Sequence, residues 1–157
     1  MVNKKIEIIR DSREQDPLVF TSNQIEVVTE SLMAGDYMAR FDGVLGKTTV
    51  ERKSLADCFS SFSGDNYRRE KEKWTRAKDN GLEYIIAIEA SILEMRKGHT
   101  YRKHGEYVQC KKDGLSQILQ LMTISQRYKI PVMYFENREA MAFWIQLYLT
   151  TPGRVEL

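Results

Sequence analysis

Hydrophobic and polar positions alternate almost from the start of the chain, and Lys5-Ile6-Glu7-Ile8-Ile9-Arg10 predicts a first strand over Lys5–Arg10, ending at Asp11. Ile25-Glu26-Val27-Val28 begins a second. A hairpin follows, with strands over Asp36–Phe41 and Thr48–Lys53 and turn chemistry at Asp42-Gly43 and Gly46. At Ser54 the pattern changes. Ser54-x-x-Asp57 is a capping box and starts a helix. A second helix is predicted between Gly64 and the Asn80-Gly81 stop, with Tyr67 and Trp74 seven apart on one face and mixed charge elsewhere. Glu83–Ala90 is almost continuously apolar, as in a central strand covered on both faces.

Arg96–Lys112 has no period and reads as a long loop or mobile ribbon. Beyond it, Leu115, Ile118, Leu119 and Met122 form a helical stripe, Pro131–Glu136 a further strand, and Arg138–Leu149 a strongly apolar last helix. Strands first, then alternating helix and strand, predict an α/β domain with a mixed sheet. The 157 residues fit one domain, 1–157, with a core of its own. A composition of 42% hydrophobic and 29% charged residues excludes general disorder. The net charge of +2 neither demands nor excludes a polyanionic partner, so local charge must decide. Cys58 and Cys110 have no ligand-like spacing, which argues against a disulfide framework or zinc site and for a reducing compartment. No apolar run reaches the ~18 residues that span a bilayer, and no signal-like segment opens the chain, so an intracellular, soluble protein is expected.

In a strand, Glu51 and Lys53 project to one side and Arg52 to the other. Asp36 opens the neighbouring hairpin strand and Asp11 ends the first, so three acids are expected to converge. Carboxylates held together repel, and a divalent cation is the usual remedy. Oxygen ligands without His or Cys suit Mg²⁺ or Mn²⁺ rather than zinc. Such an ion activates water and neutralises charge on a phosphoryl group, and Lys53 could orient that water or stabilise the transition state. The chemistry implied is phosphodiester hydrolysis.

At these residues the chain resembles a known family. Asp11-Ser12-Arg13-Glu14, Gly35-Asp36-Tyr37 and the run from Val50 through Glu51-Arg52-Lys53 and Asp57 to Phe62 resemble the nuclease domain of XPF-type structure-specific endonucleases, a branch of the PD-(D/E)XK nuclease superfamily. The resemblance covers most of the chain. It implies a restriction-endonuclease-like core, a central mixed sheet flanked by helices. It also implies that Asp36, Glu51 and Asp11 ligate the metal and that Lys53 assists the water, with Arg13, Glu14, Arg52 and Asp57 in support. Tyr67, Arg68 and Arg69 resemble the part of the family helix that faces DNA, and Glu89 would lie near the site. The function implied is a Mg²⁺- or Mn²⁺-dependent DNA endonuclease acting at branched, flapped or junction structures in repair or recombination. Family nuclease domains pair through their later helices, which implies a homodimer through the C-terminal helices. The tandem helix-hairpin-helix module usual in the family has no room before Leu157, so a stand-alone, cytoplasmic version of prokaryotic or viral origin is expected.

Plainer readings stand beside these. Asp57 is fully explained as the acid of the capping box. Arg52 fits a structural ion pair with Glu51, Asp57 or another acid. The charges of the second helix suit a solvated face with i, i+4 pairs such as Glu72 with Arg76, or else a basic edge for phosphates. Arg96–Lys112, with Arg102, Lys103 and two tyrosines, suits branched or single-stranded DNA and equally a flexible loop. His99 and His104 complete no zinc set. The last helix, apolar on more than one face, is either partly a dimer surface or wholly buried. For the whole domain the rivals are a non-catalytic DNA-binding or partner-holding module and a sequence-specific restriction-type nuclease.

Overall fold

A computed structural model describes residues 4–153. β1 (Ile6–Asp11), β2 (Ile25–Glu30), β3 (Tyr37–Phe41), β4 (Val44–Ser54), β5 (Glu83–Glu89) and β8 (Val132–Tyr134) form one mixed sheet in the order β2-β1-β3-β4-β5-β8. β1 runs parallel to β2 and antiparallel to β3; β4 is antiparallel to β3 and parallel to β5. The helices are α1 (Leu55–Ser61), α2 (Gly64–Asp79), α3 (Ile92–Arg96), α4 (Gly114–Tyr128) and α5 (Arg138–Thr150). β6 (Thr100–Lys103) and β7 (Glu106–Gln109) form a separate antiparallel ribbon.

The alternation of side chains across the sheet explains the layers. Tyr84, Ile86 and Ile88 of β5 face a cluster with Phe59 and Phe62 of the α1 region, Trp74 and Ala77 of α2, and Ile118, Leu121 and Ile124 of α4. Ile85 and Ala87 face the other side, against Met141, Ala142, Ile145 and Leu149 of α5. Tyr84 to Ile88 are therefore all buried, as the continuous apolar run predicted for a strand covered twice. On β4, Val50 joins the α5 side, so Glu51 and Lys53 must face α1 and α2.

The capping box is formed: Ser54 Oγ accepts from Asp57 N at 3.1 Å and Asp57 Oδ2 accepts from Ser54 N at 3.3 Å. Asp42 and Gly43 both have positive φ, as a two-residue hairpin turn requires. Gly46 is not a turn residue. It lies within β4 beside a register shift, where a Cβ would stand 3.1 Å from Ala39 O.

One further expectation is corrected. On α4 only Ile118 of the four stripe residues is buried, while Leu115, Leu119 and Met122 are exposed. The inward stripe is Gly114, Gln117, Ile118, Leu121 and Ile124. Gly114 sets this rotation, because a Cβ there would lie 2.2 Å from Met95 O and only glycine permits the approach to α3. Of the two readings of the segment after Arg96, a loop or a ribbon, the ribbon is formed, as β6 and β7 joined by His104-Gly105, both with positive φ. The last helix is not wholly buried, for Phe143, Leu147 and Tyr148 of α5 reach solvent. Among the described residues no helix is long and apolar enough to cross a membrane.

Candidate active site

Asp11 ends β1, Asp36 immediately precedes β3 and Glu51 lies in β4, and the three line one cleft of about 220 Å³, together with Arg13, Gly35, Lys73 and Arg76. Backbone hydrogen bonds fix the alignment: Asp36 N donates to Val50 O and Asp11 N donates to Asp36 O, both at 2.8 Å. Gly35 makes the entry to β3 possible. Its φ is +74°, and a Cβ there would meet Thr49 Oγ1 at 2.1 Å, where that hydroxyl donates to Ala34 O at 2.7 Å. Gly35→Ala is therefore expected to cost about 2 kcal/mol through backbone strain and to displace Asp36. Urea unfolding checks this, and an alanine variant as stable as the parent would refute it.

The three acids are held differently. Asp36 accepts from Arg52 N at 2.8 Å, yet burial and the nearby Glu51 push its carboxyl up to about 7. Glu51 is 9% exposed; its Oε2 accepts from the Tyr84 hydroxyl at 2.5 Å, and its Oε1 lies 3.5 Å from Lys53 Nζ and 3.7 Å from Lys73 Nζ. Asp11 is fully engaged: Oδ1 takes Leu32 N at 2.8 Å and Oδ2 takes Arg13 Nε at 2.9 Å. Burial raises the Asp11 carboxyl, but Arg13 and these backbone donors outweigh it and hold it below its ordinary value. Among the described residues, no three His, Cys, Asp or Glu side chains are gathered closely enough to hold a metal as they stand. Asp36 and Glu51 are nonetheless a mutually repelling pair of hard oxygen donors on one cleft, which fits a divalent cation.

Lys53 lies on the Glu51 side of β4, as the alternation predicted, but it is 4% exposed and does not line the cleft. Its ammonium donates to Ser61 Oγ at 3.1 Å, lies 3.6 Å from Glu70 Oε2 and stands 5.3 Å from the Phe62 ring centroid. Arg52 points the other way and pairs with Glu14 at 2.7 Å and Glu89 at 3.2 Å, not with Glu51 or Asp57. Glu89 also receives Arg138, which binds Asp16 and the carbonyl of Pro17, so this second network ties the Asp11–Leu18 segment to β4, β5 and α5. Burial raises the Glu14 carboxyl, but the Arg52 guanidinium brings it net below its ordinary value. Asp57 is exposed and caps α1.

Tyr67 packs half-buried on Phe62 and Trp74. Arg68 pairs with Glu72 at 2.6 Å and Asp65 at 3.8 Å, and Arg69 is exposed; none of the three lines the cleft. Arg102 and Lys103 are exposed on the ribbon.

Sequence reasoning missed Glu70, Lys73, Arg76 and Tyr84. For Glu70 the signal was present: it precedes Trp74 by four residues and Ala77 by seven, an acid on the buried stripe of a helix. It is 6% exposed, its Oε1 accepts from Lys73 at 3.0 Å, and its Oε2 has no hydrogen-bond partner. Tyr84, a phenol in an apolar strand, needed a partner, and that partner is Glu51.

The ERCC4 domain family matches residues 9–148. A structure of XPF from Aeropyrum pernix is similar at a TM-score of 0.67 and 21% identity, over 95% of this chain and 66% of that one. A second, described as XPF from Aeropyrum pernix in complex with DNA, gives 0.65 and 20% over 96% and 66%. The chain thus spans just under two thirds of the length of these archaeal structures. No curated protein shows significant sequence similarity. With the mixed six-stranded sheet and the family match over 9–148 in agreement, the chain belongs to the ERCC4 domain family, that of the XPF-type structure-specific nucleases, and has the fold of its nuclease domain.

Proposed function

We propose that the chain is a DNA endonuclease that hydrolyses phosphodiester bonds at branched, flapped or junction structures with Mg²⁺ or Mn²⁺. The observation that carries this reading is the convergence of Asp11, Asp36 and Glu51 on one cleft. Asp36 and Glu51 would hold the cation, each having one oxygen already oriented, by Arg52 N and by Tyr84 respectively. Asp11 would join them on release from Arg13. The bound ion supplies neutralisation of phosphoryl charge and activation of water. The chain's own part is positional. Tyr84 and the backbone fix the two carboxylates, Lys53 keeps positive charge against Glu51 from behind, and the Arg52 network holds β4 in register with β5.

The test is cleavage of labelled linear duplex, single strand, 3′-flap and four-way junction DNA in Mg²⁺ or Mn²⁺. Cutting confined to flaps or junctions supports the reading. Cutting of a defined site in linear duplex would indicate a restriction-type enzyme, and binding without cutting in either metal would make the chain a non-catalytic module.

The β6–β7 ribbon supports contact with unpaired strands. Tyr107 is 76% exposed, the Arg102 guanidinium lies 5.3 Å from its ring centroid, and Lys103 is beside them. Arg102→Ala with Lys103→Ala is expected to reduce the salt slope of single-strand binding by about 1.4, or roughly 0.7 for each lost phosphate contact. Fluorescence anisotropy over a salt series measures it, and an unchanged slope removes the ribbon from the interface.

A further inference from the structure

The lysine of the Glu-Arg-Lys run does not reach the cleft, but other cations do. Lys73 and Arg76 of α2 line it, with Arg13 also among its lining residues. Arg69, Lys73 and Arg76 are spaced by four and three residues, which sets all three on one shoulder of α2. The span is about 10 Å of helix axis, the rise of roughly three nucleotides along one strand. The opposite shoulder is used differently: Lys71 lies over the Tyr67 ring at 4.1 Å, and Lys78 is exposed.

Two of the three cations also differ from Arg68, whose guanidinium is spent on Glu72 and Asp65. Arg69 and Arg76 are exposed and take part in no salt bridge among the described residues. Lys73 retains 42% of its side-chain exposure while its ammonium sits 3.0 Å from Glu70 Oε1 and 3.7 Å from Glu51 Oε1. Buried Glu70 thus tethers a solvent-accessible ammonium beside the acid at the cleft floor, and its second oxygen lies 3.6 Å from the buried Lys53. A floor of acids alone repels a polyanion; a row of cations on the rim offsets that repulsion and orients the backbone over the floor.

We infer that the Arg69–Lys73–Arg76 shoulder of α2 is a phosphate-binding track that seats the DNA backbone against the acidic cleft, with Lys73, tethered by Glu70, meeting the phosphate nearest Glu51. This rests on the nuclease reading and deepens it. Phosphate contacts of this kind fix register and carry no base information, as expected of a protein that selects DNA by shape.

The experiment is anisotropy of labelled duplex and flap DNA with the full chain in EDTA over a salt series, so that no cleavage intervenes. Arg69→Ala with Arg76→Ala is expected to lower the slope of log K against log salt by about 1.8 on duplex, or roughly 0.9 per lost contact. Lys73→Ala should lower it by about 0.9 and Lys73→Arg should restore it, whereas Lys78→Ala on the opposite shoulder should leave it unchanged. Both arginines are exposed, so the double variant keeps the readout interpretable even where Lys73→Ala destabilises Glu70; thermal melting checks each fold. A parental slope in the double variant overturns the track while leaving the nuclease reading intact. An equal loss from Lys78→Ala overturns it in favour of diffuse positive charge. A parent chain that binds none of these DNAs overturns track and nuclease reading together.

Discussion

Glu51→Ala is expected to reduce metal-dependent cleavage by about 10²–10³-fold or more, the order lost when one group aimed at the transition-state charge is removed. Glu51 is the acid on which the proposed site turns. It is buried, receives the Tyr84 hydroxyl and has two lysine ammonium groups within 4 Å. Removing it deletes a proposed cation ligand and leaves Lys53 and Lys73 with Glu70 as their remaining acid. Steady-state cleavage of a flap or junction substrate gives the rate, circular dichroism the fold, and anisotropy in EDTA the DNA affinity. Because Glu51 repels phosphate, affinity should be retained or raised while the rate collapses. A folded Glu51→Ala protein that cuts at the parental rate would remove Glu51 from the site. A variant that has lost both cutting and binding would point to a structural role instead.

Asp36→Asn is expected to stabilise the metal-free protein above pH 7 by about 4 kcal/mol, or roughly 8–16 °C in Tm for a domain of this size, while abolishing cleavage. The sign follows from the direction of the shift. Burial, and then Glu51, raise the carboxyl to about 7 in the folded chain from 3.8 unfolded. The folded state therefore holds its proton more tightly. The stability this proton confers is complete below about pH 4, falls as pH rises through 7, and is gone above it. The asparagine amide carries no such penalty, and its oxygen still accepts from Arg52 N. The stability difference between the Asp36→Asn variant and the parent should accordingly widen from pH 5 to pH 8. Divalent cation should narrow it again by stabilising only the parent, since a ligand that binds the folded state alone adds stability by mass action. Thermal melts at pH 5 and pH 8, with and without Mg²⁺ or Mn²⁺, decide the matter. A difference that is the same at both pH values would show that Asp36 bears no ionisation penalty, and a parent unmoved by either cation would remove the cation from this pair.

Both effects follow the same trade between stability and function. A well-packed α/β domain has no structural need for two mutually repelling carboxylates, Asp36 and Glu51, beside a cleft. Their retention costs stability that a bound cation would return. The neighbouring Arg52 network differs in kind, because Glu14 and Glu89 compensate its charge directly and it serves as scaffold.

Local sequence determined much of this. Alternation placed β1, the β3–β4 hairpin and the two-sided strand β5, because side-chain parity in a strand is fixed by the backbone itself. The same parity put Glu51 and Lys53 on one face and Arg52 on the other. The Ser54–Asp57 cap and the Asn80-Gly81 stop bounded α1 and α2, because capping hydrogen bonds are made within a few residues. What only the tertiary structure decided was depth and partner. Which of two apolar stripes of α4 turns inward depends on Gly114 meeting the carbonyl of Met95, a contact between helices that no periodicity contains. Lys53 is buried and Lys73 reaches the cleft because α2 packs on the face of the sheet that carries Glu51 and Lys53, so that Glu70, nineteen positions after Glu51, lies between them. Asp11 is tied to Arg13 and Leu32, and Asp36 is left facing Glu51, because the end of β1, the entry to β3 and the later half of β4 meet at one place. Charge and chemistry are carried residue by residue along the chain, whereas desolvation and the distance between charges exist only once the sheet and its helices have closed around them.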